Sequence, residues 1–477
     1  MHTILIIGTP AVLAFLLCLL LTPLCRDLFI RLKLMDHPDE ERKFHAEAVP
    51  RMGGVPIVLS YAAALFLVSR FPLAGRIYVQ HAALFHALLP AAGVIFLTGL
   101  LDDLIGLRPW QKLLGQFAGA SMAIAFGARL SLAHTPSWIS IILSGIWLIG
   151  CTNAVNLIDG MDGLATGVGL LATLTTLLVA LLSGNVGLAL ATAPLAACLL
   201  AFLRYNFHPA SVFLGDCGSL TIGFVLGCFG LIWSQRTGTM LGMVAPLMAL
   251  SLPLLDVGLA IGRRFLRSVP IFQGDRGHIH HRVLALGFST RTTALMLYAV
   301  CAISASLALL ESLSHERLLA PVLVLFCTLL LVFVRRLGYI EFTAARKVLS
   351  HALMRSSVQE HIYLEELNRS LVKVDSIEDW WAIVRATCKT LRFSSVVMEW
   401  QGRVFREQFM PPADMPGFRI QLGLDHGGML ILTRAREPVL PDTLLAVLQL
   451  FQVSLRQTSF VRRLNAASDV LLTSNAA

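Results

Sequence analysis

Eleven apolar runs crowd the first 334 residues of the chain, at about 3–24, 54–69, 84–101, 113–127, 138–156, 164–183, 187–203, 219–233, 240–261, 292–310 and 318–334. A helix needs about 20 mainly apolar residues to cross the hydrocarbon core, and backbone crossing lipid must satisfy its own hydrogen bonds. The expectation is therefore an all-α polytopic membrane protein of about eleven transmembrane helices. The first run lacks the basic leader and small-residue cleavage site of a signal peptide, so it is read as a span. Composition agrees: 56% of residues are hydrophobic and only 14% are charged, against about 25% in soluble domains. Disorder, a collagen-like fibre and a small disulfide scaffold are excluded. Nine cysteines sit mostly inside apolar runs without a Cys-x-x-Cys pair, which reads as buried small hydrophobes rather than a thiolate metal site.

Charge is unevenly divided. Residues 1–334 carry 20 Lys+Arg and 15 Asp+Glu, whereas the remaining 143 carry 18 and 14. The organisation expected is a membrane domain over 1–336, a helical linker over 337–374 and a small soluble α+β domain over 375–477. In the last, a helix at about 377–391 precedes strand-like runs at 394–400, 403–409, 417–424 and 428–434, and a helix covers 441–466. That order weakly resembles a GAF-type domain, for which dimerisation (a homodimer) or docking is the favoured role over ligand binding. No basic block suggests nucleic acid.

Orientation follows from the loops. Fifteen Lys and Arg fall after odd-numbered spans and five after even-numbered ones. This places the N-terminus outside, and the C-terminal domain in the cytoplasm. Twelve of the fifteen acids of the membrane part fall on the same side; Glu311 and Glu316 lie opposite, and Asp256 lies within a span. A transporter would place acids near the midplane. One-sided polar chemistry favours an enzyme working at the membrane surface.

Five constellations lie on that side. Asp102-Asp103 ends the third span, where paired carboxylates are costly unless they share a cation or proton, and Lys112 lies ten residues on. In Asn153-Ala-Val-Asn156-Leu-Ile-Asp159-Gly-Met-Asp162-Gly, the two asparagines share a helix face with Asp159. Oxygen donors at this density suit Mg²⁺ with phosphates rather than a Ca²⁺ loop. Gly215-Asp216-Cys-Gly-Ser219 opens the eighth span, where Asp is also an ordinary N-terminal choice. Asp275-Arg276-Gly-His278-Ile-His280-His281-Arg282 is a dense donor loop that fits a diphosphate better than zinc. The fifth is Lys43-Phe-His45, followed by Pro50-Arg51-Met-Gly53-Gly54, whose glycines serve either ligand approach or helix packing.

Together and in this order, these segments resemble the polyprenyl-phosphate N-acetylhexosamine-1-phosphate transferase family over about residues 1–336. The resemblance implies transfer of a sugar phosphate, GlcNAc-1-phosphate first, from a UDP-N-acetylhexosamine to undecaprenyl phosphate with release of UMP. It implies Mg²⁺, with Mn²⁺ as a substitute, held by Asn156 and Asp216. Asp102, Asp103, Asp159 and Asp162 match the catalytic positions. Lys43, His45, Lys112, Asn153, Arg276, His278, His280 and His281 are expected to bind substrate. The setting implied is the bacterial inner membrane, and the product begins a cell-surface polysaccharide. The His-Ile-His-His version is similar to the branch serving O-antigen or teichoic-acid linkage. The alternatives are the same core acting on MurNAc-pentapeptide, a transporter, and a membrane sensor.

Overall fold

The computed structural model describes residues 2–36, 49–130, 136–235, 243–267, 277–314, 318–339, 355–409, 418–424, 428–434 and 443–457. Two compact units are present, one of Met1–Gly262 with Pro270–Leu337, the other of Arg263–Val269 with Gly338–Ala477. Lys43, His45 and Arg276 lie outside the described residues.

In the first unit, α1 (His2–Arg31) leads through the short antiparallel pair β1 (Met35–Asp36) and β2 (Val49–Pro50) to α2 (Gly54–Ser69). Then follow α3 (Pro72–Gln80), α4 (Ala82–Ile105), α5 (Pro109–Ala125), α6 (Ser137–Ile158), α7 (Leu164–Leu182), α8 (Val186–Asn206) and α9 (Gly215–Ser234). After these come α10 (Val244–Ala249), α11 (Ser251–Arg267, of which the residues from Arg263 on are counted with the second unit), α12 (Ile279–Ala285), α13 (Thr290–Leu313) and α14 (Leu319–Arg336).

Eight described helices are long and apolar enough to span: α1, α4, α6, α7, α8, α9, α13 and α14. Of the other three expected spans, 54–69 is the 16-residue α2, 113–127 falls largely in the 17-residue α5, which ends at Ala125, and the described part of 240–261 is divided between α10 and α11 at Leu250. Hydropathy does not register such a break, so eleven was an expectation of composition and eight is the count that helix length supports among the described residues.

The bundle is organised around α9, whose apolar window is 89% buried, against 11% for α14. Small residues let neighbours approach it. A Cβ on Gly99 of α4 would meet the Asp216 and Cys217 backbone at 2.5–2.6 Å, and one on Gly223 would meet the Cys151 carbonyl of α6 at 2.5 Å. This is how membrane helices pack when lipid removes the hydrophobic drive between them.

The second unit contains α15 (Arg355–Val372), α16 (Ile377–Thr390), β3 (Ser395–Trp400), β4 (Arg403–Gln408), β5 (Phe418–Gly423), β6 (Met429–Arg434) and α17 (Thr443–Gln457). The sheet is antiparallel throughout, in the order β4-β3-β6-β5. Alternation along β3 turns Val396, Met398 and Trp400 inward, onto a core shared with Trp380, Val384, Leu430, Leu432 and Phe451. Leu367 and Leu371 of α15 belong to the same core. The segment expected as a linker helix therefore contributes to the folded unit.

Candidate active site

Two backbone segments assemble the site before any side chain does. The Pro50 carbonyl accepts from Phe213 N–H at 2.8 Å, Gly53 N–H donates to the Phe213 carbonyl at 2.9 Å, and Gly54 N–H donates to the Leu214 carbonyl at 2.9 Å. Gly53 and Gly54 are required there because the Phe202 ring, the Phe213 carbonyl and the Gly218 backbone occupy the space of their missing side chains. Gly215 follows at φ 74°, a left-handed turn with Arg51 and Asp103 against it, where only glycine sits without strain. The glycine motifs thus bring Arg51 to Asp216.

The carboxylates are fixed in turn. Asp103, its side chain fully buried, accepts the Asp216 and Cys217 amides of the first turn of α9, both at 2.9 Å, where the helix dipole favours an anion. Gly106 at φ 67° ends α4, and Leu107 N–H closes the turn on Asp102 Oδ1 at 2.7 Å. Pro109 then starts α5, which returns Lys112 to the carboxylates: its Nζ lies 2.5 Å from both Asp102 Oδ2 and Asp216 Oδ2. Arg51 reaches Asp216 Oδ1 at 3.1 Å and Asp103 Oδ1 at 3.3 Å. Asn156 Nδ2 donates to Asp216 Oδ1 at 3.1 Å and to Ser219 Oγ at 2.9 Å.

Asp102, Asp103, Lys112, Asn156 and Asp216, all named from the sequence, are thus one hydrogen-bonded cluster at one end of α9. Asp159 lies beside it. Burial pushes its carboxyl well above the usual range, and the nearby Asp216 charge adds to the effect.

Other expected residues occupy different places. Asp162 turns to His208 Nδ1 at 2.8 Å and to Ala210 N–H at 3.1 Å. Asn153 exchanges amide hydrogen bonds with Gln116, at 2.6 and 3.2 Å. The histidine segment opens α12. His278 Nδ1 pairs with Asp256 Oδ2 at 2.8 Å, and Ile279 N–H donates to Asp256 Oδ1 at 2.8 Å. The buried Asp256 therefore holds the start of this segment. The His280 ring lies tilted against that of His281, centroids 4.2 Å apart and planes at 44°. Its Nε2 faces Gly160, where an added Cβ would stand 2.8 Å away. The histidines thereby meet the loop that carries Asp159.

Arg51 is the participant that sequence reasoning passed over, because its motif drew attention to the glycines. Ser219, Gln116, Asp256 and His208 act as supports. Ser219 stands in the Gly-Asp-x-Gly-Ser run and Asp256 stands out as an acid within a span, whereas Gln116 and His208 are revealed only by side-chain partners distant in sequence.

Among the described residues, no three His, Cys, Asp or Glu side chains converge as a ready metal cage. The donor set is nevertheless one of hard oxygens, with three carboxylates against two cations before Asp159 is counted. The nearby Cys217 Sγ turns to the Leu214 carbonyl. Such a set fits Mg²⁺, which takes one or two protein carboxylates and fills its remaining positions with water and phosphate oxygen.

Residues 85–234 match the model of glycosyl transferase family 4. The chain is 34% identical over 297 residues, 61% of its own length and 80% of the relative's, to a Bacillus subtilis protein named probable undecaprenyl-phosphate N-acetylglucosaminyl 1-phosphate transferase. It is 34% identical to the Mycobacterium leprae decaprenyl-phosphate N-acetylglucosaminephosphotransferase, over 56% of this chain and 74% of that one. It is also 31% identical to a Limosilactobacillus fermentum phospho-N-acetylmuramoyl-pentapeptide-transferase, over 60% and 91%. Asp102, Asp103, Lys112, Asn156 and Asp216 all fall within the residues that the family model matches, and the chain belongs to glycosyl transferase family 4, the polyprenyl-phosphate N-acetylhexosamine-1-phosphate transferases.

Proposed function

We propose that the chain transfers GlcNAc-1-phosphate from UDP-GlcNAc to undecaprenyl phosphate, releasing UMP, at the cytoplasmic face of a bacterial plasma membrane. The supporting observation is Lys112 lodged between Asp102 and Asp216, with Arg51 on the other oxygen of Asp216. Four charged groups thus stand together at one end of α9, with the Arg51 side chain partly exposed.

The nucleophile is a phosphate oxygen of the lipid, already an anion. It forms a bond to the sugar-bearing phosphorus of the donor as the bond from that phosphorus to the UMP oxygen breaks. No base is obligatory, so catalysis rests on neutralising charge and holding the groups in line. Lys112 and Arg51 supply donors to the phosphoryl oxygens, leaving their carboxylates as these form. Asp103 stays on the α9 amides and fixes Asp216. Desolvation and the neighbouring Asp216 charge both raise the Asp159 carboxyl, which works against a further negative charge facing the diphosphate. Asn156 and Asp216 would hold Mg²⁺, which when bound supplies charge stabilisation on the diphosphate. His278, His280 and His281 grip the donor from the far side of the Asp159 loop.

A second reading, the MurNAc-pentapeptide donor, is supported by the fermentum relative; the His-Ile-His-His version favours GlcNAc. A transporter is disfavoured because Asp256, the lone acid expected within a span, is engaged by His278 and Ile279. The test is UMP release by purified protein with undecaprenyl phosphate, Mg²⁺ and UDP-GlcNAc, UDP-GalNAc or UDP-MurNAc-pentapeptide in turn. UDP-GlcNAc is expected to lead by at least tenfold; a UDP-MurNAc-pentapeptide preference would replace the first reading with the second.

A further inference from the structure

A cavity of about 390 Å³ lies within the first unit, bounded by α2, α4, α8 and α9 with Tyr78 of α3 at one end. Its wall offers almost nothing to a polar ligand. Three of the four hydroxyl residues that line it, Tyr78 being the fourth, are bonded to backbone carbonyls: Tyr61 to Ala191 at 3.0 Å, Ser69 to Phe66 at 2.7 Å and Thr221 to Cys217 at 2.6 Å. The α2 residues along it run from Ile57 to Ser69, a path of about 18 Å at 1.5 Å per residue. That exceeds the depth of one leaflet of a hydrocarbon core about 30 Å thick.

At the end nearest the active site, Gly54 of α2 packs on the backbone of Cys217 and Gly218, and Gly99 of α4 packs on Asp216 and Cys217. These contacts narrow the route from the Asp216 cluster, which favours an occupant that comes from the bilayer over the acceptor lipid's own tail. The opening is lateral. Both α2 and α4 pack on α9 rather than closely on each other, and the cavity reaches their outer surfaces at Ala62, Phe66 and Gly93. Nothing lies within 4 Å of the position of a Cβ on Gly93. At the far end, the Arg70 guanidinium stands 4.7 Å over the Phe66 ring. Arg70 and the exposed Arg76 are the only charged residues between Arg51 and Asp102.

We propose that this cavity binds one acyl chain of an anionic phospholipid, which enters from the bilayer between α2 and α4 and places its phosphate at Arg70, on the membrane face opposite the carboxylate cluster. Hydrocarbon is the ligand that an apolar cavity open to a bilayer can accept without leaving lining atoms uncontacted. Arg70 and Arg76 have no carboxylate partner among the described residues, and such cations select a negative headgroup. The lipid would lie against Thr221, Ile222 and Val225 of α9 and so brace the helix that carries Asp216, without touching the reaction.

Native mass spectrometry of the full chain in detergent, titrated with palmitoyl-oleoyl phosphatidylglycerol, tests this without turnover. Wild-type protein should retain one phospholipid under activation that strips detergent. Gly93→Leu and Ala62→Phe, which place side chains at the opening, should lose it while keeping the wild-type thermal midpoint. Arg70→Ala should lower the retained fraction several-fold for phosphatidylglycerol and leave phosphatidylcholine retention unchanged. Retention undiminished in both opening variants would overturn the site. One-for-one displacement of the phospholipid by decaprenyl phosphate would overturn its identity, assigning the cavity to the acceptor.

Discussion

Lys112 is the residue on which the site's charge balance turns. It lies 2.5 Å from carboxylates on two helices, and its side chain is only a quarter exposed. Removing it leaves Asp102 and Asp216 facing each other uncompensated, which is the costly way to break a largely buried ion pair. Lys112→Met should reduce transfer at least a hundredfold. Lys112→Arg should restore little of it, since a planar fork does not replace a point charge. Steady-state UMP release from both variants checks this.

His280 makes a separate prediction. Burial, reinforced by His281, pushes its imidazole down to about 3, whereas an unfolded histidine titrates near 6.5. Above about pH 6.5 the residue is neutral in both states and its contribution to stability is complete. As pH falls from there toward 3 the unfolded state takes up the proton first, so stability is lost across that window. The thermal midpoint of wild-type protein should therefore fall more steeply between pH 6.5 and 4.5 than that of His280→Asn. Parallel curves would show that His280 does not titrate as its burial requires.

At the scale of elements, the site depends on how closely α2 and α4 approach α9. A side chain on Gly54 meets backbone of α9, whereas one on Gly93 meets nothing within 4 Å. Gly54→Leu should cost stability by about 1–3 kcal/mol or more, as overpacking does, and should withdraw Arg51 from Asp216. Gly93→Leu serves as the matched control, with stability unchanged. Thermal denaturation of the pair decides the point.

This contact also marks where the sequence stops being readable. The strands of the C-terminal sheet follow from alternation and turn residues, and β3, β4, β5 and β6 lie within a residue or so of the runs expected for them. The acids of the site stood out because charge is rare in a membrane chain. The glycines, by contrast, fit helix packing and ligand approach equally well until Phe202, Phe213 and Gly218 were seen in contact with them. Gln116 beside Asn153 and Asp256 beneath His278 were likewise hidden, because a hydrogen bond across helices leaves no local pattern. The division of 240–261 into α10 and α11 was invisible for a different reason: hydropathy averages over a break in the backbone.

For the whole molecule, the proposed site falls within one of the two units. Arg51, Asp102, Asp103, Lys112, Asn156, Asp216 and the histidines at 278–281 all lie in Met1–Gly262 and Pro270–Leu337. The second unit has its own core, built on Trp380, Val384, Val396, Leu430 and Phe451. A chain ending at Leu337 should keep transfer within a few-fold of the full-length rate in detergent. Complete loss from a monodisperse truncated protein would mean that the second unit takes part in catalysis.

The most direct measurement is the product balance of wild-type and Asp216→Asn protein, given undecaprenyl phosphate, UDP-GlcNAc and Mg²⁺, with UMP and the lipid product quantified together. The expected result is one lipid-linked diphosphate sugar per UMP from the wild type, none without lipid or Mg²⁺, and at least a thousandfold less from Asp216→Asn. UMP without the lipid product, or near-normal transfer by Asp216→Asn, would contradict phospho-sugar transfer at the Asp216 cluster.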